Sequence, residues 1–234
     1  STSQAANVVE AIESGSHVLL IDEDTSATNF MVRDELMERV VSRSQEPITP
    51  YIHRVRQLYE IFGISSNIVA GSSGCFFHVA DTIIQMRQYS PIEITELAKE
   101  EAKKFPLNGE VPPEISPSFD RIFTKYGQIY ENGRFKTKVM GSNLISLNHE
   151  EIDMKYVEQL VDKEQSLMLV LLLKYAELYL IDGKKTLIDV VDQLEKKMND
   201  EGFNWVYDDF NRDSRLAKPR RYEIFAIFNR FRKL

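Results

Sequence analysis

Cysteine is all but absent: Cys75 is the single thiol in 234 residues. One thiol excludes an internal disulfide and any cysteine-rich zinc site, and it fits a reducing compartment such as the cytoplasm. Long hydrophobic runs are lacking as well. The longest, Leu167 to Leu173, is about one third of the ~20 residues that cross a bilayer, so no membrane partner is expected. Nor is there an excess of positive charge, since 29 Lys and Arg stand against 36 Asp and Glu for a net charge of -7. That balance argues against a protein that coats nucleic acid along its whole surface, while leaving room for a local basic patch. Initiator methionine, charged leader and apolar signal segment are missing too: Ser1-Thr2-Ser3-Gln4 runs straight into an amphipathic pattern. The expectation is a portion of a longer polypeptide. What is present, 43% apolar and 28% charged residues in 27.1 kDa, is the composition of a soluble globular protein with one sizeable core or two modest domains.

The apolar pattern alternates between strand and helix. Val8, Val9 and Ile12 share a helical face within residues 5–13, and Gly15 suits the stop. An unbroken apolar run, His17 to Ile21, then ends in Asp22-Glu23-Asp24. Without alternation it predicts a strand buried on both faces, as in a parallel sheet covered by helices. Helices are expected from Arg33 to Ser44, through Leu36, Met37, Val40 and Val41, and from Ile52 to Phe62 with Gly63 as the stop. Asn67 to Ala70 predicts a second strand, Val79 to Met86 a third, and Ile94 to Phe105 a charged helix. Residues 106–118 carry four prolines and make the best linker. They divide the chain into an α/β portion, 1–105, and a mostly helical α+β region, 106–234, with short strands between Gly127 and Leu147. Helices are expected over Glu150 to Leu180 in two pieces, Thr186 to Asn199, and Pro219 to Leu234, with Pro219 in a first turn. There is no internal repeat.

The most informative stretch is Val18-Leu19-Leu20-Ile21-Asp22-Glu23-Asp24-Thr25-Ser26-Ala27-Thr28-Asn29. An apolar strand ending in Asp-Glu is a Walker B arrangement, with two carboxylates at the C-terminal edge where open α/β sheets bind ligands. Asp22 suits Mg²⁺, held through its waters, and Glu23 suits polarising a water for attack on a phosphoryl group. The blander alternative is an exposed acidic strand end.

The continuation Thr25-Ser26-Ala27 resembles the Asp-Glu-Pro-Thr-Ser-Ala core of ATP-binding-cassette ATPases, in which Walker B runs into the D-loop. Asp24 replaces the usual Pro, and Asn29 the usual D-loop Asp. With those departures the chain resembles the predicted ATPases of the ABC class. Ser1 to Asn7 is similar to the tail of that family's signature loop, and Gly71-Ser72-Ser73-Gly74 with Val79-Ala80-Asp81 to its switch region. Ile152-Asp153, Gln159 to Asp162, Pro219 to Ile224 and Asn229 to Arg232 resemble its C-terminal hallmarks. The resemblance implies part of an ABC-type parallel sheet with flanking helices. It also implies ATP and Mg²⁺ as cofactors, Ser3 and Gln4 reaching a nucleotide in trans, and Ser26 and Asn29 near a homodimer interface through signature and D-loop.

One motif is missing. No G-x-x-x-x-G-K-[ST] occurs, and Gly183-Lys184-Lys185-Thr186 lacks both the upstream Gly and the hydroxyl residue beside the first Lys. Backbone amides and a Lys supply most phosphate binding, so this chain alone is expected to bind ATP weakly or not at all. The switch position is also unusual, because Ser72 and Ser73 stand where transporter-type cassettes place a His. A Ser hydroxyl can hydrogen-bond a phosphate or a water but cannot act as an imidazole. His78, a few residues on, is an alternative; His17, His53 and His149 have no metal-ligand spacing.

Positive charge gathers near the end of the chain, in Arg212, Arg215, Lys218, Arg220, Arg221, Arg230, Arg232 and Lys233, interleaved with Tyr222, Phe225, Phe228 and Phe231. The bland reading is an amphipathic helix that buries its aromatic face. The sharper one is an RNA or DNA contact through Arg220, Arg221, Arg230, Arg232 and Lys233, with bases stacked on exposed rings. Exposure of the rings discriminates between them. Two function classes therefore stand: an ATPase, and a nucleic-acid-binding module in which ATP turnover is regulatory or absent.

Overall fold

A computed structural model describes residues 1–41, 48–107, 112–127, 136–148, 150–157, 159–207 and 215–233. Arg212 and His149 lie outside the described residues. The chain divides into two compact units, Ser1–Pro117 and Ser118–Leu234. Residues 106–117, assigned to the second region from the sequence, therefore group with the first. Part of the reason is local: Gln57 donates to the carbonyl of Pro112 at 3.4 Å, and Arg54 donates to that of Pro113.

The first unit begins with α1 (Thr2–Glu13), β1 (Val18–Asp22), α2 (Thr28–Met31) and α3 (Glu35–Val40). It continues with α4 (Val55–Phe62), β2 (Ser65–Val69), an antiparallel hairpin of β3 (Ile84–Arg87) and β4 (Ser90–Glu93), and α5 (Thr95–Ala102). Gly63 ends α4 in the left-handed region, φ 66°, which a residue without Cβ adopts at little cost. The chain then returns as β2, parallel to β1 and in register Asp22↔Val69. Leu19, Ile21 and Ile68 turn inward onto a core of Phe30, Met31, Tyr51, Ile52, Leu58, Ile64 and Phe76. Within that core the Tyr51 hydroxyl lies 2.6 Å from Ser66 Oγ, and burial raises its pKa against that hydrogen bond.

The α/β expectation holds, with three local corrections in this unit. β1 is not buried on both faces: its residues alternate, and Leu20 is 79% exposed. A strand is covered twice only when elements pack on both sides, and here the core lies on one side alone. Val9 likewise stands half exposed beside Val8 and Ile12, because 100° per residue carries it off their shared stripe. The third strand starts later than the sequence suggests. Cys75–His78 forms a 3₁₀ turn, and Ile84–Arg87 turns back through Gln88 and Tyr89, both at positive φ (48° and 64°).

The second unit is an antiparallel meander of β5 (Thr137–Met140), β6 (Leu144–Leu147) and β7 (Glu150–Asp153), followed by α6 (Lys163–Tyr175), α7 (Leu187–Glu201) and α8 (Arg221–Arg230). Glu150–Asp153 is thus strand, not helix. Its alternation sends Ile152 into the core and leaves Glu151 and Asp153 outside. The centre of the unit is α6, whose residues Met168 to Leu173 are buried all round against the sheet and α8. Each such Leu contributes roughly 1.5–3 kcal/mol by leaving water. A single π turn, Ala176–Leu180, follows α6. Gly183 to Lys185 then forms a turn in which Asp182 Oδ1 accepts from the amides of Lys184 and Lys185, both at 2.9 Å. Thr186 caps α7, its Oγ1 accepting from Asp189 N at 3.1 Å while Asp189 Oδ2 accepts from Thr186 N at 2.9 Å. Pro219 stands before the cap Arg220 rather than in the first turn of α8.

Candidate active site

The C-terminal ends of β1 and β2 lie side by side, and the acidic motif begins where the ladder ends. The amide of Glu23 still donates to Val69 O at 2.8 Å, so the parallel pairing carries one residue beyond Asp22. Asp22 is exposed at the strand end, and its Oδ1 accepts from Asp24 N at 3.2 Å. Glu23 is half buried. Its Oε2 is fully buried and has no hydrogen-bond partner among the described residues.

The segment after the acids is held by α1. Gln4 Nε2 donates to Ser26 Oγ at 2.8 Å, and Gln4 Oε1 accepts from Ala27 N at 2.9 Å. Ser26 Oγ donates in turn to Asp22 O at 2.6 Å, folding the loop back on the strand. Ser1 Oγ donates to Asn29 Oδ1. Gln4 with Ser26, and Ser1 with Asn29, are thus paired within one chain, while Ser3 is exposed on the first turn of α1.

The turn after β2 meets the same place through Asp24. Its Oδ2 accepts from Gly71 N at 2.8 Å, and Ser72 Oγ lies 3.5 Å from its Oδ1. A Cβ on Gly71 would come within 2.6 Å of Asp24 Oδ2, so a side chain there would displace the Asp24 carboxylate. Ser73 Oγ lies 3.5 Å from the amide of Cys75, at the limit of a hydrogen bond, and His78 is exposed at the end of the 3₁₀ turn. Asp81, farther along, pairs with Arg56 on α4 through two contacts of 2.6 and 3.2 Å, and that hydrogen bonding lowers its pKa. Asp24 is what the sequence reading passed over. It stood out there only as a departure from Pro, and its partner is 47 positions away.

Among the described residues no group of three or more His, Cys, Asp or Glu could hold a metal ion by itself. The residues do fit a Mg²⁺ that is carried with a nucleotide: one exposed carboxylate at a strand end beside another with an unpaired, buried oxygen.

The basic residues of the second unit have a different setting. Phe225, Phe228 and Phe231 are 2–3% exposed and form part of its core, so these rings cannot stack bases. Tyr222 alone of the four rings is exposed. Arg220 hydrogen-bonds the fully buried Glu223 through its amide (2.6 Å) and its Nε (2.7 Å). Arg221 Nη1 bridges Asp192, at 2.6 Å, and Glu195 on α7, and its guanidinium lies over the Phe225 ring. Arg230 donates to Ala226 O at 3.2 Å, and Lys233 pairs with Glu150 at 3.1 Å. Arg232 is exposed.

No helix among the described residues is long and apolar enough to cross a membrane. No curated protein matches the chain. Residues 136–234 match the family model described as the MRB1590 C-terminal domain. Residues 1–118, the part that carries β1, β2 and the acidic motif, match the P-loop domain model of ABC_ATPase. With half of its length matched in this way, the chain belongs to the ABC_ATPase family.

Proposed function

We propose that the first unit supplies the Walker B, D-loop and switch portion of an ATP-hydrolysing site. The observation that carries this reading is Glu23. A carboxylate oxygen that is buried and unpaired costs free energy unless a ligand or water takes it up. At the end of a parallel strand, next to an exposed Asp, that ligand is the water which attacks a γ-phosphate. Glu23 orients this water and accepts its proton; Asp22 holds the hydration shell of Mg²⁺, and a switch serine, Ser72 or Ser73, donates to phosphate or water. Bound Mg²⁺ neutralises charge on the phosphates. The sequence has no Walker A loop, so the cradle of backbone amides and Lys comes from another segment or chain, and turnover belongs to the assembled site.

Two partner readings follow. Exposed Ser3 and Asn29 at the D-loop side support a homodimer that sandwiches ATP. For nucleic acid, the supporting observation is the exposure of Arg215, Lys218, Arg220 and Arg232 in an otherwise acidic chain. Contact there would be to phosphates, since the interleaved phenylalanines are core.

The reading is tested by Asp22→Asn in the assembled ATPase. Hydrolysis should need markedly more Mg²⁺ for half-maximal rate. An unchanged Mg²⁺ dependence would remove Asp22 from the site.

A further inference from the structure

We propose that Asp24 is a positioning residue that couples the switch turn, through Gly71 and Ser72, to the Walker B end that carries Asp22 and Glu23. The inference rests on the ATPase reading of this site. Three observations converge on it. Asp24 Oδ2 takes the amide of Gly71 at 2.8 Å, and its Oδ1 faces Ser72 Oγ at 3.5 Å. Its own amide, which any residue but proline would supply, donates to Asp22 Oδ1 at 3.2 Å and so ties that carboxylate to the same turn. A Cβ at Gly71 would come within 2.6 Å of Asp24 Oδ2, so the carboxylate would have to swing away from the Gly71 amide to admit it.

A proline at position 24 could make none of these bonds, having no amide hydrogen and no carboxylate. Replacing the Pro of ordinary cassettes by Asp therefore adds a strut between two strand ends. An ionised acceptor on a backbone N–H is among the stronger hydrogen bonds, which suits a contact that must hold a turn in one place. Hydroxyls that approach a reacting phosphate need placement to a fraction of an ångström, and misplacement by 1 Å costs about a hundredfold in rate.

The test compares Asp24→Ala, Asp24→Asn, Gly71→Ala and the double variant Asp24→Ala/Gly71→Ala, with Glu23→Gln as reference, in the assembled ATPase. Asp24→Ala and Gly71→Ala should each lower kcat by about ten- to a hundredfold with the KM for ATP nearly unchanged. Asp24→Asn should recover most of the rate, because its amide oxygen still accepts from Gly71. The double variant should be no worse than either single one, since removing the carboxylate makes room for the new Cβ. In the chain described above, Asp24→Ala should also move the Gly71 amide resonance and speed its hydrogen exchange. Multiplicative losses in the double variant, or full activity of Asp24→Ala where Glu23→Gln is inactive, would overturn the inference alone. Undiminished turnover in Glu23→Gln would instead remove the reading beneath it.

Discussion

Gln4, on the first turn of α1, holds Ser26 across 22 positions of sequence: its Nε2 donates to Ser26 Oγ at 2.8 Å. Its carbonyl oxygen takes the next amide, Ala27 N, at 2.9 Å. One side chain thus satisfies a hydroxyl and a backbone donor at the start of α2, where the cap residue Ala27 offers no side-chain acceptor. Gln4→Ala should lower stability of the first unit by about 1–2 kcal/mol, from two hydrogen bonds of modest net value. Hydrogen exchange checks it: the Ala27 amide should lose protection while Leu58, in the core, keeps its own.

Arg221 supports the second unit in the same sense. It spans from α8 to Asp192 and Glu195 on α7 and lies over Phe225, with 26% of its side chain exposed. Arg221→Ala should cost about 1–2 kcal/mol, more than a surface pair, because two carboxylates lose their partner at a half-buried place. Arg232→Ala should leave the melting temperature unchanged. Thermal melts of both variants, with and without RNA, separate structural from binding roles; an equal loss in both would contradict the assignment.

The aromatic stripe of α8 offers a sharper contrast. Phe228→Ala empties a fully packed site and should cost about 3–5 kcal/mol, whereas Tyr222→Ala, at a half-exposed ring, should cost well under that. Urea unfolding measures both. A mild Phe228→Ala would mean that the ring is not core.

Acid should weaken the fold through a few carboxylates. Hydrogen bonding to Arg56 lowers the pKa of Asp81; the Lys185 ammonium and two amides lower that of Asp182, and the Thr186 hydroxyl and amide that of Asp189, each from 3.8. Folded values below the unfolded ones mean that the unfolded chain binds these protons more tightly. The stabilisation is therefore complete above pH ~4 and is lost as pH falls through the folded values. NMR titration should place the Asp81 midpoint below 3.8, and Arg56→Ala should return it towards that value.

The parts of this fold that could be read from the sequence are those with local causes. Gly63 ends α4 because the turn needs positive φ, and Thr186 with Asp189 starts α7 three residues apart. The β3–β4 hairpin escaped, since its turn uses Gln88 and Tyr89 where Asn-Gly would have announced it. β7 escaped for another reason: four residues, Glu150–Asp153, gain their strand character from pairing with β6 and have little of their own. At the site, Asp22 and Glu23 stood out because they are adjacent to each other and to an apolar run. The Asp24–Gly71 contact did not, because nothing in either segment alone points to the other. Burial of Phe225 and Phe228 likewise depends on α6 and α7, so their spacing left both of their readings open.

The chain by itself should not turn over ATP, for want of a phosphate cradle. Addition of Mg²⁺ and ATP to purified residues 1–234, followed by phosphate release, checks this. Turnover insensitive to Glu23→Gln would count against both the missing-loop argument and the role of Glu23.

The most direct measurement is single-turnover ATP hydrolysis by the assembled ATPase, the chain together with whatever supplies its phosphate cradle, with Glu23 and with Glu23→Gln, beside nucleotide binding by both. The amide keeps the shape of the side chain but cannot take a proton from water. ATP binding should be nearly equal in the two proteins, and hydrolysis should fall by at least about tenfold in the variant. Equal hydrolysis rates would contradict the assignment of Glu23, and with it the ATPase site at the end of β1.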